Sequence, residues 1–163
     1  IVRIKTDIEK FIENAKSLEN SDDKNIIIAL MNLISIEEHL IFTGAKTSKT
    51  NYYDLIVTGD LAQIGKEITE ELVLDKGYDI LKNYNDCGLL IFDNLAQDTH
   101  AGGSGCGCSA SVFCGYIYKE MMKKNLNKVL LISTGALLSV TSTQQGQSIP
   151  GIAHAVSIVN KGS

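Results

Sequence analysis

The stretch Tyr53-Asp-Leu-Ile-Val-Thr-Gly-Asp-Leu61 decides the fold class. Leu55-Ile56-Val57 is short and apolar, which suits a buried strand, and it stops at Thr58-Gly59. Asp60 then stands where a carboxylate can cap a helix predicted from Leu61 to about Leu74. Downstream the order reverses: the glycine-rich turn from Ala101 to Gly107 opens a helix predicted through Lys124, and Lys128 to Thr134 reads as a strand. Gly151 to Ile158 supplies another strand, after a polar loop from Gly135 to Pro150 rich in Ser, Thr and Gln. Such alternation predicts an α/β fold, a mixed sheet covered by helices.

Upstream the pattern is different. Ile4, Ile8, Phe11, Ile12, Ala15 and Leu18 recur at helical spacing with Lys and Glu between them. After the polar cluster Asn20 to Lys24, in which Ser21, Asp22 or Asp23 can serve as cap, a second helix is expected from about Asn25 to Phe42, with Gly44 placed to end it. Residues 1–50 therefore read as a helical hairpin ahead of an α/β unit spanning 51–163.

Composition narrows the function. A hydrophobic content of 44% over 163 residues is enough for a real core. A net charge of −4, with 15 Lys+Arg against 19 Asp+Glu, offers no basic patch for phosphates, so nucleic acid is not an expected partner. The longest apolar stretch, Ile26 to Ile36, is interrupted by Asn32 and Ser35 and falls short of the ~20 residues a membrane-spanning helix needs. Cys87, Cys106, Cys108 and Cys114 read as reduced thiols of a cytoplasmic protein.

Two nucleophile or phosphate motifs fail on spacing. Between Gly59 and Gly65-Lys66 there are five residues rather than four, and Glu67 stands where a hydroxyl is needed, which excludes a P-loop. Around Ser104, Cys106 replaces the second glycine of a hydrolase elbow. Cys106, Cys108 and Cys114 with His100 lack the paired spacing of structural zinc, so buried thiols on a helix packing surface are expected and no metal. His154 lies in an apolar strand and reads as a core histidine, His39 as a surface one, and Asn85-Asp86-Cys87-Gly88 as turn chemistry. The run Ala101-Gly-Gly-Ser-Gly-Cys-Gly-Cys-Ser109 could let backbone amides and a helix start approach an anion, or could simply let a helix pass close to its neighbour.

Five ordered segments, Tyr53 to Leu61, Asn85 to Gly88, Ala101 to Ala110, Ser133-Thr-Gly-Ala-Leu-Leu-Ser139 and Ser148-Ile-Pro-Gly-Ile-Ala-His-Ala155, resemble the stage V sporulation protein AD family. The resemblance covers about residues 53–160 and implies the C-terminal half of a thiolase-like fold. It also implies dipicolinic acid as ligand, assistance to its uptake into the developing spore, and other stage V A sporulation proteins at the membrane as partners. A cytoplasmic location follows, with a peripheral position at the spore inner membrane allowed. Residues 1–50 do not match that pattern.

Thiolase-like condensing enzymes take their nucleophilic cysteine from an N-terminal half, and the C-terminal half commonly supplies a histidine after its first strand. Here that position reads Thr58-Gly59-Asp60, and glycine can neither act as a base nor polarise a thioester. A non-catalytic ligand-binding module is expected. The ligand-facing loops implied by the resemblance are Asn85, Asp86 and Cys87; Gly103, Gly105, Cys106 and Cys108; and Thr134 and Gly135 with His154. No cofactor is expected, although calcium can accompany the ligand. The alternatives are an acyl-transfer enzyme using Cys87, Cys106 or Cys108 with His154, and a structural half-domain completing a partner. A lone half leaves apolar surface uncovered, so a homo-oligomer is expected unless the hairpin serves as cover.

Overall fold

The computed structural model describes residues 36, 52–136, 141, 144–146 and 151–161. The predicted N-terminal hairpin apart from Ile36, the surface position of His39 and most of the polar loop before Pro150 lie outside the described residues.

Strand β1 (Leu55–Thr58) is buried over its last three residues, as a strand with neighbours on both sides must be. The sheet order is β2-β1-β3-β4. Strand β1 pairs in parallel with β2 (Tyr84–Asp86) and with β3 (Lys128–Ala136), so that Thr58 lies beside both Asp86 and Ile132. Strand β4 (Gly151–Val159) runs antiparallel to β3, with Ser133 opposite His154. The result is a mixed α/β sheet. β3 runs two residues past the predicted Thr134, because Gly135 and Ala136 pair with Ile152 and Gly151 instead of opening the loop.

The period-2 alternation of the strands divides the core in two. On one side Ile56, Tyr84, Leu130 and Ile132 pack with Tyr53, Val73, Ile80 and Ile36, so one residue of the N-terminal segment, itself helical, covers this side. On the other, Val57 and Val129 meet Cys87, Cys108, Val112, Ile117 and Met121. Helices α1 (Ala62–Asp75), α2 (Cys87–Leu90), α3 (Cys108–Val112) and α4 (Tyr118–Met122) supply Val73, Cys87, Cys108, Val112 and Met121. Between α3 and α4 the chain makes a π turn, Phe113–Ile117, where the sequence predicted an unbroken α-helix. The buried positions 108, 112, 117 and 121 are spaced four, five and four, and the wider turn absorbs the extra residue so that Ile117 and Met121 still face the sheet.

Both long helical segments end on a left-handed residue. Gly77 (φ 86°) follows α1, with Tyr78 N–H donating to Val73 C=O. Lys124 (φ 61°) follows α4, with Asn125 N–H donating to Glu120 C=O. At the start of α1 the expected cap is absent. Leu61 is the boundary residue, no side chain of its own caps the helix, and Ala62 holds φ 57°. The carboxylate that meets these amides is Asp86, from the next strand, and Asp60 is engaged elsewhere.

Candidate functional site

Parallel pairing brings the C-terminal ends of β1, β2 and β3 side by side, the edge at which open α/β sheets gather their loops. Two of the three strands lead directly to an aspartate there. Asp86, fully buried, accepts hydrogen bonds from Thr58 Oγ1 (2.6 Å) and Leu61 N (3.0 Å) on one oxygen, and from Ala62 N (2.8 Å) and Gly88 N (2.8 Å) on the other. It closes α2 as its cap and fixes the loop that leads into α1. Asn85-Asp86-Cys87-Gly88 is therefore a strand-to-helix junction rather than a free turn; its local chemistry survives in Asp86 binding the amide two residues on.

Asp60, held by that loop, reaches across to the glycine-rich turn and to β3. One oxygen accepts from Ser104 Oγ (3.1 Å) and Gly105 N (3.0 Å), the other from Thr134 Oγ1 (3.4 Å). Two backbone approaches are close at glycines, and the second leaves no room for a Cβ. A Cβ on buried Gly59 would lie 3.1 Å from Thr134 Oγ1 and 3.2 Å from Thr134 N. One on Gly88 would lie 2.2 Å from the Gly103 carbonyl oxygen, whose own residue donates its N–H to Gly88 C=O at 2.7 Å.

The geometry assembles Asp86, Cys87, Gly103, Gly105, Cys108 and Thr134 around the two strand ends. Asn85 is half-buried beside them, its side-chain oxygen accepting from Asp86 N–H. Cys106 is exposed on the turn and Gly135 is exposed in β3. His154 is exposed, which corrects the core assignment: β4 is the outer strand of the described sheet, and the apolar residues around His154, Ile152 and Val156, are themselves half exposed. Cys106 and Cys114 are also exposed where burial was expected, and only Cys108 of that trio is packed inside.

Burial raises the inner thiols and the Asp86 carboxyl alike. Burial, reinforced by the Asp86 charge, pushes the Cys87 thiol far up, and burial with Asp60 and Asp86 nearby raises Cys108. Burial raises Asp86 above the usual aspartate range against four hydrogen bonds that pull it down. Tyr84, whose hydroxyl lies 2.9 Å from Thr58 Oγ1, is raised by burial as well. Thr58, Asp60, Tyr84 and Ser104 are the site residues that sequence reasoning left out. The available signal was that both Leu55-to-Asp60 and Tyr84-to-Asp86 run from an apolar or aromatic residue to an aspartate.

A family model described as stage V sporulation protein AD matches residues 16–159, most of the chain. The chain belongs to the stage V sporulation protein AD family. Its match takes in both aspartates, the glycine-rich turn and β4, and begins inside the N-terminal segment, ahead of Ile36. Stage V sporulation protein AD of Bacillus subtilis (strain 168) is 47% identical over 104 residues, which are 64% of this chain and 30% of that protein. The chain thus spans about a third of that relative's length.

Proposed function

We propose that this chain is a non-catalytic ligand-binding module that takes an aromatic dicarboxylate, dipicolinic acid, at the strand-end face and thereby assists its uptake into the developing spore. The observation that carries this reading is Gly59. It is buried at the position where a condensing enzyme would place a histidine, and a Cβ there would press on Thr134 at 3.1–3.2 Å. Cys87 and Cys108 strengthen the case, because a buried thiol with a raised pKa is a poor nucleophile. Three parallel strands, an antiparallel fourth and helices on both sides suit half of a thiolase-like fold.

Asp60 refines the mode of binding. The Gly105 amide, which an anion could have used, already serves Asp60, and a bare dianion would meet that carboxylate's repulsion. A calcium ion arriving with the ligand would offset it. Other stage V A proteins at the membrane and a second copy of the chain are the partners this role calls for. Among the described residues no helix is long and apolar enough to cross a membrane. Calorimetric titration with dipicolinate, with and without calcium, is expected to give weak heats that grow with calcium and vanish in Gly105→Val. Equal heats in both proteins would remove the turn from the site, and turnover of acetyl or acetoacetyl coenzyme A would overturn the non-catalytic reading.

A further inference from the structure

Among the described residues, none of the groups hydrogen-bonded to Asp86 is a cation. Its neighbours are the Thr58 hydroxyl on β1, the Leu61 and Ala62 amides before α1 and the Gly88 amide on α2. The titratable groups around it are Tyr84 on its own strand, Cys87 on α2, Cys108 on α3 and Asp60 in the loop after β1. The nearest ammonium on α1, Lys66, sits 5.6 Å from the Tyr84 ring centroid and is paired with Glu70. Four neutral donors thus do what an ion pair would otherwise do, and burial leaves the carboxyl easier to protonate than an aspartate in water.

The hydroxyls beyond it are arranged for either state. Thr58 Oγ1 lies within hydrogen-bond reach of Asp86, of Tyr84 Oη, where either hydroxyl can donate, and of the Asn85 carbonyl at 3.5 Å. With Asp86 charged, Tyr84 donates to Thr58 and Thr58 donates to the carboxylate. With a proton from solvent on the same carboxyl oxygen, Asp86 donates to Thr58, which turns its own proton to the Asn85 carbonyl and still accepts from Tyr84. The Thr58 and Tyr84 hydroxyl protons each have an acceptor in both states, and the three amides keep theirs.

We propose that Asp86 is a proton-binding residue built to be satisfied in both charge states, and that its charge sets how readily the strand-end face accepts an anion. The second half rests on the ligand reading above. Uptake of one proton removes one of the two negative charges at the ends of β1 and β2, so an anion should bind more tightly as pH falls through the Asp86 midpoint.

The test is a carbon-detected titration of the full chain labelled with carbon-13, with Asp86 assigned through its own Cβ–Cγ correlation so that no variant is needed. Its midpoint is expected above the ordinary aspartate value of about 3.9. In Thr58→Val, where the charged carboxylate loses its 2.6 Å hydroxyl donor, the midpoint should shift up. A wild-type midpoint at or below the ordinary value, or one that Thr58→Val leaves unmoved, overturns the proton site. Dipicolinate affinity is then measured against pH in wild type and Asp86→Asn. The ligand's own protonation affects both proteins alike, so the difference between them reads Asp86. Identical pH profiles refute the link to anion binding. No binding at any pH refutes the ligand reading and that link with it, while a raised midpoint would still establish the proton site.

Discussion

Gly88→Ala should be among the most damaging single-methyl changes this fold can suffer. Gly88 is buried in α2, its N–H donates to Asp86 at 2.8 Å, and its C=O accepts from Gly103 N at 2.7 Å. A Cβ there would stand 2.2 Å from Gly103 O and 2.9 Å from Asp86 Oδ1. An ordinary carbon–oxygen contact is about 3.3 Å, so the backbone of the turn must retreat by about 1 Å. That movement surrenders the Gly103–Gly88 hydrogen bond, at about 1–3 kcal/mol for buried groups left unpaired, and adds overpacking of about 1–3 kcal/mol. A loss of about 3 kcal/mol corresponds to a melting point lower by about 6–12 °C for a chain of this size. Urea and thermal unfolding would measure it beside Gly115→Ala, an exposed π-turn glycine whose Cβ meets nothing within 4 Å and which should gain about 0.5–1 kcal/mol. Equal unfolding midpoints for Gly88→Ala and wild type would refute the packing of α2 against the turn.

Ile36→Ala should cost about 2–4 kcal/mol, since the side chain is fully buried against Tyr53, Ile56 and Leu130; a change under about 0.5 kcal/mol in urea unfolding would show that the N-terminal segment does not cover the sheet. Under native conditions a thiol reagent should modify Cys106 and Cys114 quickly, and Cys87 and Cys108 only on unfolding; four equal rates by mass spectrometry would contradict the burial and raised pKa of the inner pair.

Local pattern carried the elements, because Leu55-Ile56-Val57 and Lys128-to-Thr134 declare strands by composition alone. Long-range geometry did not show. Asp60 was placed as a cap by the rule that a carboxylate before a helix meets its first amides, yet those amides belong to Asp86, which parallel pairing delivers opposite Thr58 from 28 residues away. Asp60 was thereby free to hold the glycine-rich turn, and no spacing rule links Asp60 to Gly105. The apolar strand around His154 suggested burial, but an outer strand can leave a face half in water. The π turn was legible only as a four-five-four spacing of Cys108, Val112, Ile117 and Met121, one residue out of step with a regular helix.

The most direct test of the strand-end site is an amide chemical-shift map of the nitrogen-15-labelled chain titrated with dipicolinate in the presence of calcium. Binding at the strand-end face should move, in a saturable manner, the amides of Asp60, Gly103 to Cys108 and Thr134, and leave those at the far end of the sheet, Asp54 and Asn127, in place. Saturable shifts confined to other residues, or no shifts at millimolar ligand from a folded chain, would contradict it.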